Sequence, residues 1–307
     1  MANCATVFAA LAGYVLLPSG DWRWMFVIPG VACLGLWLLG RALPESPRWL
    51  EAVGRRDEAE STMKKIEREA TASLNGALPW IDTVAMSAPS QVGSPDSLWR
   101  PPLVFRLIFG IGIALGTNVA ISGVLTWLPT ILLKQGFTIS NSLGRNLLIT
   151  LGTPAGALLA ALLADRLGRR IGIVSVAIIA MVLAMLFSVT SSSPVSIPIG
   201  FGLLMALAFL VNVIYAVYLP ELFPTTLRVQ GCAAAAATTK FAFIFLPFAM
   251  ASLLIHGGIV AAMGLIEGCL LLVAGSVALF GKETAYRSLE VTSADLPRGS
   301  VLSNARR

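Results

Sequence analysis

One cation stands where a charge is hardest to accommodate. Lys240 lies in the run CAAAAATTKFAFIFLP, ten positions into an apolar stretch that opens at Gly231. A helix rises about 1.5 Å per residue, so the ammonium sits roughly 14 Å into its span, near the middle of a bilayer's hydrocarbon. A charge at that depth is costly and is kept where it meets a cavity, a partner or a substrate. Three uses are open to it. Snorkelling is opposed by the short reach of a lysine stem from mid-depth. Pairing would need an acid, and Glu267 is the other ionisable residue well inside an apolar span. The third use is to hold an anion in a central cavity. Aromatic neighbours bear on that last use: Phe243 and Pro247 follow at i+3 and i+7, and Tyr215 and Asn212 share a face of the preceding span. A cation amid aromatic surface suits a small aromatic or hydroxylated carboxylate. Trp127, at the end of an earlier span, reads as an interfacial anchor.

A second polar set lies at chain turns. Glu221 and Arg228 are spaced E-x6-R around one charged turn, and Asp165, Arg166, Arg169 and Arg170 crowd the short loop ADRLGRRIG, where Gly168 supplies turning freedom. Asn118, Ser122 and Thr126 form one helical stripe at i, i+4, i+8. Such a stripe serves either hydrogen bonding between helices or the lining of a pore.

These residues must be positioned by membrane-spanning helices. The chain is 56% hydrophobic and only 12% charged, against about a quarter charged in soluble domains. No charge occurs in 107–133, 146–164 or 171–220, and a crossing helix needs about 20 residues. Eight apolar spans are predicted, at about 3–18, 24–42, 105–132, 146–164, 171–190, 196–219, 231–255 and 259–281. The fold class is therefore all-α, a polytopic membrane protein. Alternating sides from a cytoplasmic start puts eighteen Lys/Arg on the cytoplasmic side and three (Arg23, Lys134, Arg145) opposite. That asymmetry places both termini in the cytoplasm of a multi-pass inner-membrane protein, and the net charge of +6 is topological, with no nucleic-acid partner implied.

Between the second and third spans lies a polar segment, 43–104. Pro44 stops one helix, Ser46 and Pro47 start a short one that Gly54 ends, and Asp57 with Glu60 caps a charged helix over 58–71 that the Glu60–Lys64 pair supports. Gly152, Gly156 and Ala160 form a close-packing face. The four cysteines sit in apolar stretches without metal-ligand spacing, and His256 stands alone in a loop. No Ser/His/Asp set, metal cluster or nucleotide loop is present, so neither an enzyme nor a bound cofactor or metal is expected.

PESPRW at 44–49, DRLGRR at 165–170, PELFPTTLR at 220–228 and KETAYRSLE at 282–290 resemble signatures of the major facilitator superfamily, in its sugar-porter and organic-ion branches and closest to bacterial metabolite:proton symporters. Lys282 stands where that family's closing motif has a proline, and Ala285 and Tyr286 replace its last two residues. The resemblance implies that residues 1–42 correspond to helices five and six of twelve, 43–104 to a cytoplasmic helical linker, 105–283 to a C-terminal six-helix bundle and 284–307 to a cytoplasmic tail. It implies alternating access, the carriage of a small organic anion with protons, and a need for the missing N-terminal half or a second copy. It also implies a cytoplasmic charge lock drawn from Arg48, Asp165, Arg166, Arg169, Arg170, Glu221, Arg228 and Glu283. Lys240, Asn118, Ser122, Asn212, Tyr215 and Phe243 are then the substrate-binding candidates, because organic-anion relatives carry a base at the place of Lys240. Alternatives are a sugar or organic cation as substrate, or a non-transporting remnant or membrane scaffold subunit.

Overall fold

The computed structural model describes residues 2–18, 20–41, 45–73, 101–164, 166–190, 195–223 and 227–281, and every regular element among them is helical. They belong to two compact units, Trp22–Ser90 and a larger one of Met1–Asp21 with Gln91–Arg307.

The smaller unit holds α2 (Trp24–Gly40), α3 (Pro47–Ala52) and α4 (Arg56–Ser73). α2 is apolar throughout and has no buried residue. α3 begins at Pro47, as expected from a residue whose φ is already helical. α4 starts before Asp57, which therefore lies in its first turn rather than at its cap. Arg55 clamps Glu58 at 2.6 Å and fixes that turn, while Asp57 and Glu58 face the positive end of the helix dipole. Glu60 and Lys64 pair at 2.8 Å; Lys64 draws the Glu60 pKa down and Glu60 pushes that of Lys64 up.

The larger unit holds α1 (Ala2–Leu16), α5 (Pro101–Lys134), α6 (Ile139–Thr150), α7 (Gly152–Leu163), α8 (Arg169–Val189), α9 (Ser196–Val213), α10 (Leu219–Glu221), α11 (Arg228–Ala242), α12 (Leu246–His256) and α13 (Gly258–Phe280). A π-helical turn, Ile214–Tyr218, joins α9 to α10. Five helices are long and apolar enough to cross a membrane, and α11 with α12, bent by 42°, makes a sixth among the described residues. The first two expected spans appear as shorter apolar helices of 15 and 17 residues. The fourth expected span is longer than its uncharged run. Thr138 accepts the Asn141 N–H and starts α6 seven residues early, and Arg145 lies 3.9 Å over the Phe137 ring and donates to Ser196 at 3.0 Å.

α8 packs between α9 and α13, α7 lies on α9, and α5 touches α13, α11 and α9. Ile173, Ala177, Ala180 and Ala184 form the buried stripe of α8, small enough for close approach. Gly152 and Gly156 on α7 face the backbone at Phe201 and Met205, where an added Cβ would enter the carbonyl oxygens. The close-packing face read from their spacing is thus the α7–α9 seam. Pro154 cannot donate to the Thr150 carbonyl, which separates α6 from α7; the Thr153 hydroxyl lies 2.9 Å from that oxygen.

Candidate functional site

The mid-span polar residues converge on one carbonyl. Asn118 donates to the Ala114 oxygen at 3.2 Å, and the Tyr215 hydroxyl reaches the same oxygen at 3.4 Å and the Thr239 hydroxyl at 3.3 Å. Three helices, α5, the π-turn after α9, and α11, are therefore joined at one depth by small polar contacts. The π-turn makes this possible. It places one more residue in the turn than an α-helix holds and so re-aims the side chains that follow it. Asn212, three residues before Tyr215, points elsewhere: its amide bonds the Ala208 carbonyl at 2.7 Å and accepts from Asn3 of α1 at 3.3 Å. The face that Asn212 and Tyr215 share in an unbroken helix is thus divided between two neighbours. Ser122 is half-buried on α5, and Trp127 is partly buried against the core.

Lys240 follows Thr239 directly and is exposed. No acid lies within ion-pair distance of it among the described residues, so the pairing with Glu267 is not formed. Its ammonium lies over the Phe243 ring, 5.3 Å from the centroid. Seen down the axis, Phe243 lies about 40° from Thr239 and about 60° from Lys240, on the arc between them. The helix breaks at once beyond it, because Pro247 cannot donate to the Phe243 carbonyl and its ring crowds that oxygen. α11 ends at Ala242 and α12 begins at Leu246.

The charged turn is built differently. Arg169, 9% exposed, donates to the Ala164 carbonyl at 2.6 Å and approaches Glu221 to 3.7 Å. Arg169 is the first residue of α8 and Glu221 the last of α10. Each charge therefore opposes the dipole of its own helix, and the two offset one another only while adjacent. Arg228 donates to the Pro220 carbonyl at 3.0 Å and Arg106 to that of Leu222 at 3.5 Å, so two guanidinia cap the end of this helix. Gly168, at φ +75°, provides the left-handed turn that lets α8 start there. Arg170 turns away and donates to the Ala278 carbonyl of α13, and Arg166 is exposed. Asp165 and Glu283 lie outside the described residues, as does the side chain of Arg48 in the smaller unit.

Thr239, Arg106 and the Asn3 and Thr6 side chains were not singled out from the sequence. Thr239 had a visible signal in its place beside Lys240. Arg106, Asn3 and Thr6 had none, since each acts across long sequence separation: Thr6 meets Thr153 at 2.8 Å.

Residues 1–296 match the family described as "Sugar (and other) transporter". The chain is 29% identical over 294 residues to the inner membrane metabolite transport protein YdjE of Escherichia coli (strain K12), covering 95% of this chain and 65% of the relative. It is 29% identical over 285 residues to the niacin transporter NiaP of Acinetobacter baylyi (strain ATCC 33305 / BD413 / ADP1), covering 92% and 63%. In fold it is similar to the major facilitator superfamily proton:xylose symporter XylE bound to 6-bromo-6-deoxy-D-glucose, at a TM-score of 0.63 and 22% identity, over 95% of this chain and 62% of that one. The chain thus spans under two thirds of the length of these relatives.

Proposed function

The chain belongs to the sugar (and other) transporter family, and on that premise we propose that the complete protein carries a small aromatic or hydroxy carboxylate across the membrane with protons. The mechanism is alternating access, with two halves rocking about a midplane site. The observation that carries the substrate class is Lys240, an exposed mid-span ammonium near a phenyl face beside a helix break, without an acid to neutralise it among the described residues. Broken helices flank ion and substrate sites in secondary transporters because their ends leave backbone dipoles unpaired. A carboxylate would meet the cation, and its apolar or aromatic body the Phe243 ring, while Tyr215 and Asn118 supply hydrogen-bonding groups. The relative named as a niacin transporter supports this class, niacin being an aromatic carboxylate. A neutral polyol is the competing substrate, favoured by the amide and hydroxyl groups of Asn118, Ser122 and Tyr215.

The Arg169–Glu221 pair serves as the gate at the cytoplasmic end of α8 and α10, with Arg228 bracing the turn. The excess of Lys/Arg on that side orients both termini toward the cytoplasm. Binding of aromatic and hydroxy carboxylates to the purified chain, compared with pentoses, tests the substrate reading. Lys240→Ala is expected to abolish carboxylate binding and Lys240→Arg to keep part of it. Equal carboxylate binding by Lys240→Ala protein, or binding of pentoses alone, overturns the assignment. Uptake by the complete transporter in proteoliposomes, with and without a pH gradient, tests the coupling.

A further inference from the structure

One acid on α13 takes no part in the gate or in the substrate contacts. Glu267 lies about 14 Å along that helix, near mid-span. It stands on the border between two stripes. Met263, Ile266 and Leu270 are buried against the bundle, while Gly264 and Gly268 are exposed, and a Cβ added at either glycine would meet nothing within 4 Å. The side chain is therefore half-buried beside open space and not sealed in the core. The helices packed against α13 are α8, α5 and α12. Their charged and titratable residues lie at or near helix ends: Arg169 and Arg170 on α8, Arg106 and Lys134 on α5, His256 on α12. Cys269, two residues on, is a little over half a turn around α13 itself. Among the described residues no hydrogen bond or ion pair holds the Glu267 carboxylate. An ionised group at this depth is costly unless something neutralises it.

We propose that Glu267 is the residue that takes up the transported proton, an assignment that rests on Lys240 as the carboxylate site and on a proton-coupled carrier. Both side chains are near mid-span and opposite in sign. With neither ligand bound, their charges sum to zero. A bound carboxylate alone leaves one negative charge over, and a bound proton alone leaves one positive. With both bound, the carboxylate matches Lys240 and Glu267 is neutral. A net charge at mid-depth opposes the rocking of the two halves, so the empty and the doubly loaded forms are the ones that interconvert. One proton is thereby tied to one anion. It joins a Glu267 carboxylate oxygen from water on one side and returns to water on the other.

Labelling and uptake test this together. Dicyclohexylcarbodiimide adds a protonated carboxyl across its C=N bond, oxygen to carbon and proton to nitrogen. Peptide mass spectrometry of the wild-type chain should find that adduct at Glu267, in falling amount as the pH is raised. In proteoliposomes of the complete transporter, a gradient of one pH unit should drive about tenfold carboxylate accumulation at one proton per anion. Glu267→Gln should lose that accumulation yet still exchange labelled for unlabelled carboxylate, because its loaded form is neutral while its empty form leaves Lys240 unmatched. Glu267→Asp, which keeps a carboxyl, should retain part of the accumulation. Accumulation by Glu267→Gln protein equal to that of the wild type, or no adduct at Glu267 at any pH, overturns the assignment and leaves the proton-coupled reading standing. A wild type that binds carboxylate but gains nothing from the gradient overturns that reading, and this assignment with it.

Discussion

The end of α10 and the last turn of α11 both carry charge, but with opposite provision for it. Around Glu221, every charge has protein to meet: Arg169 faces Glu221, and the carbonyls of Ala164, Pro220 and Leu222 accept from Arg169, Arg228 and Arg106. At Lys240 the described residues supply an aromatic face and no acid within ion-pair distance. A charge satisfied from within holds elements in place and can report a conformational change by separating. A charge left to a ring face gains most from an ion of opposite sign arriving from outside. The proposed gate and the proposed substrate site therefore differ in how their charges are met.

Removing Lys240 tests the contrast most strongly. Lys240→Ala should weaken carboxylate binding by roughly thirtyfold or more, because truncating one member of a charge pair at a binding site costs about 2–5 kcal/mol. Titration calorimetry measures the loss, and the melting temperature should barely fall, since among the described residues only the exposed contact with the Phe243 ring is removed. Arg169→Ala should behave inversely, destabilising the closed state by about 1–3 kcal/mol, between the values of exposed and buried pairs, with ligand contacts intact. Cysteine probes at both faces would register greater accessibility at the inner one, and the Arg169→Glu, Glu221→Arg exchange should recover part of the closure. Unchanged probe reactivity in Arg169→Ala protein breaks the comparison.

Smaller effects sharpen it. Tyr215→Phe removes two long hydrogen bonds, to Thr239 and Ala114, and should cost about 0.5–1 kcal/mol of binding while the thermal midpoint barely moves. Least of all is the Glu60–Lys64 pair on α4, which is fully exposed. Glu60 has its pKa lowered, so its contribution exists above the ordinary carboxylate range and fades as pH falls through the lowered value. Lys64 has its pKa raised, so its share exists below the ordinary lysine value and fades as pH rises through the raised one. Helicity of a peptide spanning α4, followed against pH, should show both limbs and lose both in Glu60→Gln.

Much of the scaffold could be read along the chain because the relevant physics is local. Uncharged runs mark the crossing segments of α5, α8 and α9, four-residue spacing marks Gly152 and Gly156 as a seam, and i,i+4 spacing marks Glu60 with Lys64. The Glu221–Arg228 turn and the basic loop also stood out, as clustered charges between long apolar stretches. Local rules failed where an element departs from its period. An unbroken helix puts Asn212 and Tyr215 on one face, yet the π-turn sends one toward Asn3 and the other toward Thr239. Pro247 was visible, but a proline alone does not say whether a span kinks or divides, and here it divides α11 from α12 by 42°.

The amino-acid sequence by itself determined which segments are helical, that they belong in a bilayer, and that Lys240 would be a charge at mid-depth, since hydropathy and helical rise need only neighbours in the chain. Only the tertiary structure decided that Glu221 meets Arg169 while Glu267 leaves Lys240 alone, and that Tyr215 joins Thr239. Short loops allow several packings of the same helices, and the choice among them comes from side-chain fit between residues far apart in sequence.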